Sequence, residues 1–291
     1  TRITGATGVA LLNTVVTSRA GEKRSKPVAP CLKHMQALSI VGPGATAVRD
    51  AVATHLDGRT ATVDRADDLD VADDGQFELS DDGDWTAQGT DRSFDDLLDS
   101  LAPDYDYALI SGFSKLRLPT VVVGDREVPG DVLRRVDDAE ELDPVALAAE
   151  VEELDPHVTL ESLVAEAKQS PQAHRSGAIA TFTGRVRRQD GEDDSPTTHL
   201  KFEKYEGVAQ DRMDTISAEL EEREGVFEVL FHHRTGVVAD GEDIVFVVVL
   251  AGHRREAFRT VEDGIDRLKD EVPLFKKETT EAEEFWVHDR A

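Results

Sequence analysis

The sequence predicts an α/β domain with a parallel, P-loop-NTPase-like but degenerate sheet, followed by an α+β domain. Three observations support this fold class. The chain has 291 residues, which suits two domains. Strand patterns alternate with helical patterns over residues 35–154, as they do in doubly wound parallel sheets. Residues 156–291 instead combine a capped helix, β-rich runs and longer amphipathic helical patterns, which indicates an α+β domain.

Residues 1–34 differ in composition from both domains. They carry six basic residues against one acid, Glu22, and contain no Asp. They also lack an initiating Met, whereas Met35 stands directly before the strand pattern ALSIVG. The apolar stretch GVALLNTVV precedes most of the basic residues, which is the wrong order for a signal peptide. We interpret residues 1–34 as upstream, non-native sequence; peptides from before Met35 in a peptide map of the native protein would refute this interpretation.

The first domain has a strand–turn–helix order. It begins with the strand pattern QALSIV, a glycine turn and a helix, and TATVD comes next as a second strand. We expect a loop rich in Asp and Gly from Asp67 to Asp91. A helix in SFDDLLDSLA, a buried strand in YDYALISGF, a strand in PTVVVGD and an acidic helix in DPVALAAEVEEL complete the domain near residue 154.

The glycine turn of this domain lies where a phosphate loop would lie, between a strand and a helix. Gly42, Gly44 and Thr46 are its candidate nucleotide-binding residues, through weak anion binding at the helix N-terminus. The lysine, the spacing and the length of a working phosphate loop are all missing. We therefore favour a tight strand–helix turn over a nucleotide site.

The second domain begins near Pro156. Thr159 is the predicted N-cap of a helix in TLESLVAEAKQS. The runs GAIATFTGRVR, THLKFEKYE and VFEVLFHHRTG are predicted strands, and VAQDRMDTISAELEERE is a predicted amphipathic helix. The apolar run EDIVFVVVLAGH is typical of a buried central strand, and a helix from about His253 to Glu271 comes after it and ends before Pro273.

The composition restricts the function classes. Asp and Glu outnumber Lys and Arg by 60 to 33, giving a net charge of −27, and such a surface disfavours nonspecific binding to nucleic acids and membranes. It resembles the surfaces of proteins from high-salt cytoplasms. The single cysteine, Cys31, excludes an intrachain disulfide and a cysteine-based metal site. With no run of about 18 apolar residues, we expect a cytoplasmic protein without a metal, a nucleic-acid partner or a membrane partner.

Basic residues nevertheless gather at the ends of predicted elements in the second domain. They are Arg185, Arg187 and Arg188 in GRVRR, His253, Arg254 and Arg255 in GHRR, Lys269, Lys276 and Lys277 in LKDEVPLFKK, and Arg290. A helix N-terminus attracts anions, and the Arg fork matches carboxylates and phosphates. The apolar residues before Lys276 suit an amine that acts as a proton acceptor or a nucleophile. These features predict an anion pocket; the alternative is that the side chains are solvated and pair with neighbouring acids.

The spacing of His253 and Lys269 constrains that pocket. Sixteen residues on a continuous helix span about 24 Å, so one chain cannot easily bring both side chains to one small ligand. We expect the site to span a dimer interface, with His253 and Arg254 from one subunit and Lys269 and Lys276 from the other.

The first domain resembles a known family through the stretch DRSFDDLLDSLAPDYDYALISGFSKLRLPTVVVGD. This stretch is similar to the nucleotide-binding adaptor proteins of molybdopterin-guanine dinucleotide synthesis. Ser111 stands where that family usually has an acid, and the phosphate-loop lysine is absent. The resemblance therefore implies a degenerate relative that serves as an assembly or docking module and does not hydrolyse GTP.

Residues 156–291 resemble the large, catalytic subunit of molybdopterin synthase over essentially their whole length. The matching motifs, in order, are GAIATFTGRVR, LKFEKYEG, HHRTGVV, GEDIVFVVVLAGHRREAF, LKDEVPLFKKE and FWVHDR. Gly252-His253-Arg254 stands where the family has AHR. Phe275 replaces the usual Trp in the motif that runs from Leu268 to Glu278.

This resemblance implies a sulfur-transfer reaction. Cyclic pyranopterin monophosphate would become molybdopterin by gaining two sulfurs as a dithiolene, with no tightly bound cofactor. The sulfur would arrive on a small ubiquitin-like carrier that ends in a Gly-Gly thiocarboxylate. The large subunits would form a homodimer at the centre of a heterotetramer.

The same resemblance implies roles for the basic residues. Lys269 and Lys276 would flank the thiocarboxylate and assist attack and proton transfer, with Lys269 our first choice for the essential residue. The implied substrate-binding residues are Arg185, Arg187, His253, Arg254, Lys277, Glu278 and Arg290, of which His253 and Arg254 would hold the phosphate. Arg290 would enter from a neighbouring subunit.

Two other function classes stay open at this point. A nucleic-acid or nucleotide binder would use GRVRR and HRR, but phosphate-backbone binding needs a broad basic surface. A noncatalytic scaffold or GTP-binding adaptor in molybdenum cofactor assembly would need only the docking role of the first domain. The intact set of Arg187, His253, Arg254, Lys269 and Lys276 argues against loss of catalysis.

Overall fold

A computed structural model describes residues 34–66, 75–189, 191, 194–205, 207–280 and 284–287. The predicted extension, residues 1–34, lies outside the described residues except for His34. So does Arg290. None of the described helices is long and apolar enough to cross a membrane.

The first sheet is parallel, as predicted, and has the strand order β2-β5-β1-β6-β7. Its strands are β1 (Gln36–Val41), β2 (Thr60–Asp64), β5 (Tyr107–Ser111), β6 (Thr120–Val123) and β7 (Val132–Val136). The three inner strands are buried on both faces, which explains their nearly continuous apolar sequences. The edge strand β7 was not predicted, because its sequence VLRRV is mostly exposed and carries two arginines.

Three helices cover the two faces of this sheet. They are α1 (Ala45–Ala53), α2 (Phe94–Leu101) and α3 (Pro144–Glu152). Residues of α1 and α3 share one apolar cluster with Leu38 and Leu109, whereas Leu98 of α2 shares another with Ala108. Successive strand residues point to opposite faces, so the sheet is covered on both sides, as the doubly wound prediction requires.

The predicted loop from Asp67 to Asp91 contains a β-hairpin, so that part of the prediction was wrong. The hairpin consists of β3 (Gln76–Leu79) and β4 (Trp85–Gln88), which pair in antiparallel fashion. The hairpin was not predicted because each strand has only four residues and the connection SDDGD is strongly acidic. Gly83 makes the turn possible by adopting a φ of 89°.

The second half forms a three-stranded and a four-stranded sheet, with orders β10-β12-β8 and β11-β9-β13-β14. The strands are β8 (Ala178–Arg185), β9 (Thr197–Lys204), β10 (Val226–His233), β11 (Gly236–Ala239), β12 (Asp243–Ala251), β13 (Leu274–Thr280) and β14 (Glu284–Val287). The helices are α4 (Leu160–Gln169), α5 (Val208–Glu221) and α6 (Arg254–Glu271). Every strand and helix predicted for this half is present, including the capping box of Thr159 on α4.

The apolar strand β12 is central in its sheet, as predicted, and divides the core. Val245, Val247 and Val249 face an apolar cluster that includes residues of α5 and α6. Phe246, Val248 and Leu250 face the opposite cluster, which includes residues of α4. The continuous apolar sequence of β12 therefore reflects burial on two faces.

Histidine–carboxylate pairs join the two halves of the described chain. The His157 ring nitrogen lies 2.7 Å from a carboxylate oxygen of Asp99 in α2. His34 lies 3.2 Å from Glu166 in α4, and the backbone N–H of His157 donates to the carbonyl of Met35 at 2.7 Å. The first sheet uses only residues 36–136, and the two sheets of the second half use only residues 178–287.

Glu228 on β10 gives a pH-dependent stability prediction. Burial, together with the nearby carboxylates Glu166 and Glu221, raises the pKa of Glu228, which a Ser170 hydrogen bond partly offsets. One carboxylate oxygen of Glu228 is buried without a hydrogen-bond partner. A raised folded-state pKa means that the folded chain holds this proton more tightly, so stability falls as pH rises from the unfolded pKa of about 4.3 through the folded value.

We expect Glu228→Gln to raise the free energy of unfolding at pH 7 by about 1 kcal/mol, because a neutral amide removes the buried charge. The gain should largely vanish below the unfolded pKa, where the native carboxyl is already protonated. Denaturant unfolding at pH 7 and at a pH below the unfolded pKa measures the difference in unfolding free energy between Glu228→Gln and the parent. Glu222→Gln, at an exposed neighbouring position, is the control. Equal effects of Glu228→Gln at both pH values would contradict the explanation.

Candidate functional site

Two of the predicted site residues of the second half, Arg185 and His253, lie at opposite ends of the β12 sheet. Arg185 pairs with Asp243 at the start of β12, and Ala178 pairs with Ala251 at its end. These pairs are at the first and last of the nine residues of β12, a separation of about 27 Å. His253 comes directly after the Ala251 end, so Arg185 and His253 of one chain lie far apart.

At the Asp243 end, local contacts hold Arg185. Its Nε lies 3.3 Å from a carboxylate oxygen of Asp243, and its guanidinium donates to the carbonyl of Gly241. The side chain is still 63% exposed, so the rest of the guanidinium faces solvent. Arg187 lies on the exposed surface, after the buried Val186.

Helix α6 returns from the Ala251 end to the Asp243 end. Its Glu256 lies close to Gly225, which precedes the β10 residue that pairs with Ala251. Its Gly264 packs closely on Phe231 and Val247, in the middle of the sheet. The last turn of α6, with Lys269, therefore lies toward the Asp243 end that also holds Arg185.

Lys269 is exposed at this position, and no described residue pairs with its amine. Glu271, two residues after Lys269, is already occupied, because it accepts from Arg267 at 2.7 Å and also from Arg212 of α5. The hydrogen bond from Arg267 is the main reason that the pKa of Glu271 is lowered. This network fixes the end of α6 on α5 and leaves the Lys269 amine available to a ligand.

Lys276 lies on β13 beside an apolar side chain. It pairs across the strands with Phe202, so the two side chains share a face. Phe202 contacts the ring of buried His233 edge-on at 4.8 Å. The Lys276 amine is 3.9 Å from Glu278, and its side chain is 38% exposed, which gives a partly desolvated amine with a loose ion pair.

Glu278 and Lys277 take different faces of β13. Glu278 shares the face of Lys276 and accepts a hydrogen bond from the Thr197 hydroxyl. Lys277 pairs with Lys201 on the opposite face, where Phe275 meets Tyr205 edge-on at 5.4 Å. Lys276 and Lys277 look equivalent in the sequence, but they point to opposite faces of β13 because successive strand residues alternate.

At the Ala251 end, His253 is the N-cap residue of α6 and Arg254 begins the helix. Both side chains are exposed, the His253 side chain makes no capping hydrogen bond, and no described residue pairs with either of them. The helix has 18 residues, so His253 and Lys269 are about 24 Å apart along its axis. The predicted separation is confirmed, and one chain alone does not join these residues at a small ligand.

The glycine turn of the first half lines a separate cavity of about 540 Å³. Gly42, Gly44 and Thr46 all border it, at the carboxyl ends of the parallel strands. Gly42 is required there, because a Cβ at this position would lie 2.0 Å from the Val123 carbonyl oxygen. Only Pro43 separates the two glycines, so the turn is much shorter than a phosphate loop.

An internal ion network occupies the wall of this cavity. Arg49 of α1 is 6% exposed and pairs with Asp64 and Asp50. The Ser111 hydroxyl donates to Asp64. Hydrogen bonds from Arg49, then from Ser111, lower the pKa of Asp64. Asp64 and Asp50 border the cavity, and their charges oppose the attraction of the helix N-terminus for phosphate.

Sequence reasoning missed several residues that support these sites. They are Asp243, which holds Arg185; Thr197, which holds Glu278; Tyr205, which contacts Phe275; and Arg49 and Asp64 in the first half. Of these, Tyr205 and Asp243 stand within the family motifs LKFEKYEG and GEDIVFVVVLAGHRREAF, where a binding role could have been suspected. The described residues contain no group of three or more His, Cys, Asp or Glu side chains placed to hold a metal ion.

Comparisons with known proteins identify the family of this chain. Residues 152–271 match the family profile described as MoaE protein. The probable molybdopterin synthase of Haloferax volcanii is 58% identical over 262 residues, which covers 88% of this chain and all of that protein. The molybdopterin synthase catalytic subunit of Bacillus subtilis is 37% identical over 40% of this chain and 72% of its own length. A solved MobB protein homologue from Bacillus stearothermophilus is 21% identical over 40% of this chain and 99% of its own, with a TM-score of 0.30.

Proposed function

This chain belongs to the molybdopterin synthase family, and on that premise we propose that it moves sulfur from a small carrier protein to cyclic pyranopterin monophosphate. The enzyme class is sulfur transfer, and the product is the dithiolene of molybdopterin. The second half of the chain, which matches the MoaE profile, carries the reaction.

One observation supports the assignment most strongly. In a chain with a net charge of −27, Lys269 and His253 are cationic or basic groups without a partner among the described residues. Lys269 shares one end of the β12 sheet with Arg185, whose guanidinium is mostly exposed. Both ligands of the reaction, a phosphate ester and a thiocarboxylate, are anions that such groups bind.

The proposed chemistry uses positioned cations. The thiocarboxylate sulfur attacks a carbon of the pterin side chain and forms a carbon–sulfur bond, which joins the carrier to the substrate through a thioester-like link. The bond from that carbon to its oxygen breaks, and the oxygen leaves on the opened cyclic phosphate at one carbon and as water at the other. Water then attacks the carrier carbonyl, the bond between the carbonyl carbon and sulfur breaks, and the carrier leaves as a carboxylate. A second carrier delivers the second sulfur in the same way.

Lys269 is the proposed essential residue. Its amine stabilises the oxyanion that forms when water attacks the thioester-like link. Lys276, partly desolvated beside Phe202, accepts the proton that the attacking water loses. Arg185, Arg187, Lys277 and Glu278 complete the substrate-binding set, although the opposite faces of Lys277 and Glu278 imply that they contact different parts of the ligands.

A symmetric dimer is the arrangement that makes one complete site. His253 and Arg254 would hold the substrate phosphate at the N-terminus of α6, across the interface from Lys269 of the partner. Arg290 is proposed to enter from a neighbouring subunit in the same way. With one carrier on each large subunit the assembly is a heterotetramer.

The carrier is proposed to be a small ubiquitin-like protein with a Gly-Gly tail. The exposed pair Tyr205 and Phe275 lies on the Lys277 face of β13, one strand position from Lys276, and supports this choice. A narrow glycine tail can lie against aromatic rings and bring its terminal sulfur to an amine. No tightly bound cofactor enters the proposed scheme.

The first half is proposed to act as a docking module and not as a nucleotide-dependent enzyme. The Arg49–Asp64 pair leaves carboxylates at the wall where phosphates would have to bind. We expect equilibrium dialysis to detect no bound GTP at millimolar nucleotide, with or without Mg²⁺. Saturable binding of GTP at lower concentration would contradict this and would restore Gly42, Gly44 and Thr46 as a weak nucleotide site.

The experiment that tests the function mixes the purified chain, in high-salt buffer, with a thiocarboxylated carrier and cyclic pyranopterin monophosphate. Formation of the dithiolene product supports the proposal. A chain that binds the carrier and forms no product would favour the noncatalytic scaffold instead.

A further inference from the structure

A bulge at the start of β9 decides which of two neighbouring threonines faces the site. The pairing of β13 with β9 is regular up to Thr279 and then shifts by one residue, so that Thr280 lies opposite Thr197 instead of Thr198. A bulge of this kind re-aims the side chains beside it. Thr197 is 6% exposed, whereas Thr198 is exposed and its hydroxyl donates to the carbonyl oxygen of Thr279 at 3.0 Å. The bulge therefore turns Thr197 inward.

The face that Thr197 joins is the one that carries Lys276 and Glu278. These two residues of β13 pair with buried apolar residues of β9, so they lie over an apolar floor. Without the bulge, the strand alternation would place Thr197 on the opposite face, with Lys277. One extra residue in β9 thus brings a hydroxyl to a lysine and a carboxylate that are assigned to the site.

The Thr197 hydroxyl fixes one end of the Glu278 carboxylate. It donates to Oε1 of Glu278, whereas Oε2 lies 3.9 Å from the Lys276 amine. Among the described residues, these two are the side-chain partners of Glu278. A hydrogen bond between an ammonium and a carboxylate measures about 2.7–2.9 Å. The carboxylate is therefore near the amine without being hydrogen-bonded to it.

This spacing suits an amine that has to accept a proton. A carboxylate in direct contact favours the charged form of an amine and occupies one of its hydrogens. Held by Thr197, Glu278 attracts the Lys276 side chain and still leaves the amine open. The Lys276 side chain is 38% exposed, so water can reach it.

We propose that Thr197 is a positioning residue for sulfur transfer, whose hydroxyl holds Glu278 back from Lys276 and so keeps this amine able to accept a proton. The role rests on the proposed function of Lys276, because Thr197 is buried and acts through Glu278. Loss of the hydroxyl frees the carboxylate, which then turns to the amine and forms a direct ion pair. Hydrolysis of the thioester-like link slows, because a paired ammonium accepts no proton from the attacking water.

The first test measures the Lys276 amine directly, without carrier or substrate. The full chain is treated with a limiting amount of an amine-acylating reagent, and mass spectrometry with fragmentation gives the ratio of modified Lys276 to modified Lys277. Lys277 is the internal reference, because it lies on the opposite face of β13. Thr197→Val removes the hydroxyl and nearly keeps the shape, and it should lower the ratio several-fold. Thr197→Ser keeps the hydroxyl and should keep the parent ratio.

Further variants separate the position of the carboxylate from a general change of structure. Thr197→Val combined with Glu278→Gln has no carboxylate to close on the amine, so its ratio should be no lower than that of Glu278→Gln alone. Thr198→Val removes the neighbouring hydroxyl and leaves the bond between Thr197 and Glu278, so its ratio should match the parent. Thr197→Ala, which adds no volume to the buried position, gives the same measurement if Thr197→Val does not fold.

The second test measures the rate of sulfur transfer in a single turnover with saturating carrier and substrate. Thr197→Val should lower this rate several-fold, and Thr197→Ser should return it to the parent value. Thr198→Val should leave it unchanged. The rate and the labelling ratio should fall together, because both depend on the same amine.

Three outcomes would overturn the proposal. The ratio of Lys276 to Lys277 labelling could be unchanged in Thr197→Val, even with a lower rate, which would make Thr197 a structural residue only. Thr197→Ser could behave like Thr197→Val, so that the hydroxyl would not be the cause. The double variant with Glu278→Gln could stay below Glu278→Gln alone, so that the carboxylate would not be the cause. Failure of the proposed function is distinguishable from all three, because it appears as a parent chain that transfers no sulfur, whereas the labelling ratio needs no sulfur transfer.

Discussion

Replacing Lys269 with Ala is expected to lower the rate of sulfur transfer by about 10² to 10³-fold, the effect of removing one group that stabilises a developing oxyanion. The side chain has no ion-pair partner among the described residues and lies in the last turn of α6, at the end of the sheet that holds Arg185. Its loss should therefore change catalysis with little effect on folding. A single-turnover assay with saturating carrier and substrate measures the chemical step.

Lys168→Ala is the matched control for this prediction. Lys168 is also an exposed lysine in the last turn of a helix, but on α4, and its removal should leave the rate within about twofold of the parent, since surface changes away from a site are small. If Lys269→Ala kept most of the parent activity, or if both variants lost it equally, Lys269 would not be the essential residue.

Mixing two inactive variants, His253→Ala and Lys269→Ala, is expected to restore activity. If each site takes His253 from one subunit and Lys269 from the other, a mixed dimer has one intact site and one doubly defective site. Random exchange makes half of the dimers mixed, so the recovered activity should be about one quarter of the parent value. The measurement is the sulfur-transfer rate after subunit exchange, against the two variants kept apart.

The control mixture combines Lys269→Ala with Lys276→Ala. Both residues are assigned to the same subunit's side of the site, so neither site of a mixed dimer would be intact and no activity should return. Recovery in this control, or no recovery with His253→Ala, would contradict a site that spans the interface.

Helix α6 and strand β12 show what could be predicted from the sequence. The apolar run of β12 indicates burial on two faces, and the helical spacing after His253 continues without interruption to Glu271. These are local signals, and the structure places the boundaries of α6 within one residue of the prediction. The separation of His253 and Lys269 is then a consequence of helix geometry alone.

Strand β13 and the Arg49–Asp64 pair show what could not be predicted from the sequence. The sequence KKETT has no apolar alternation, and β13 forms because β9 pairs with it over most of its length. The opposite faces of Lys276 and Lys277 depend on that pairing. Similarly, Arg49 and Asp64 meet only because β2 and β5 bring Asp64 and Ser111 to the end of the sheet beside α1. Long-range pairing of this kind leaves no periodic signal in one sequence.

The most direct test of the central claim tracks the sulfur atom itself. The full chain is mixed with a carrier whose thiocarboxylate carries ³⁵S and with cyclic pyranopterin monophosphate, and the label is traced in a single turnover. Our account predicts that the label moves to the pterin as a dithiolene while the carrier becomes a carboxylate, and that Lys269→Ala leaves the label on the carrier. Label that stays on the carrier with the parent chain, under conditions where carrier and chain form a complex, would contradict the account.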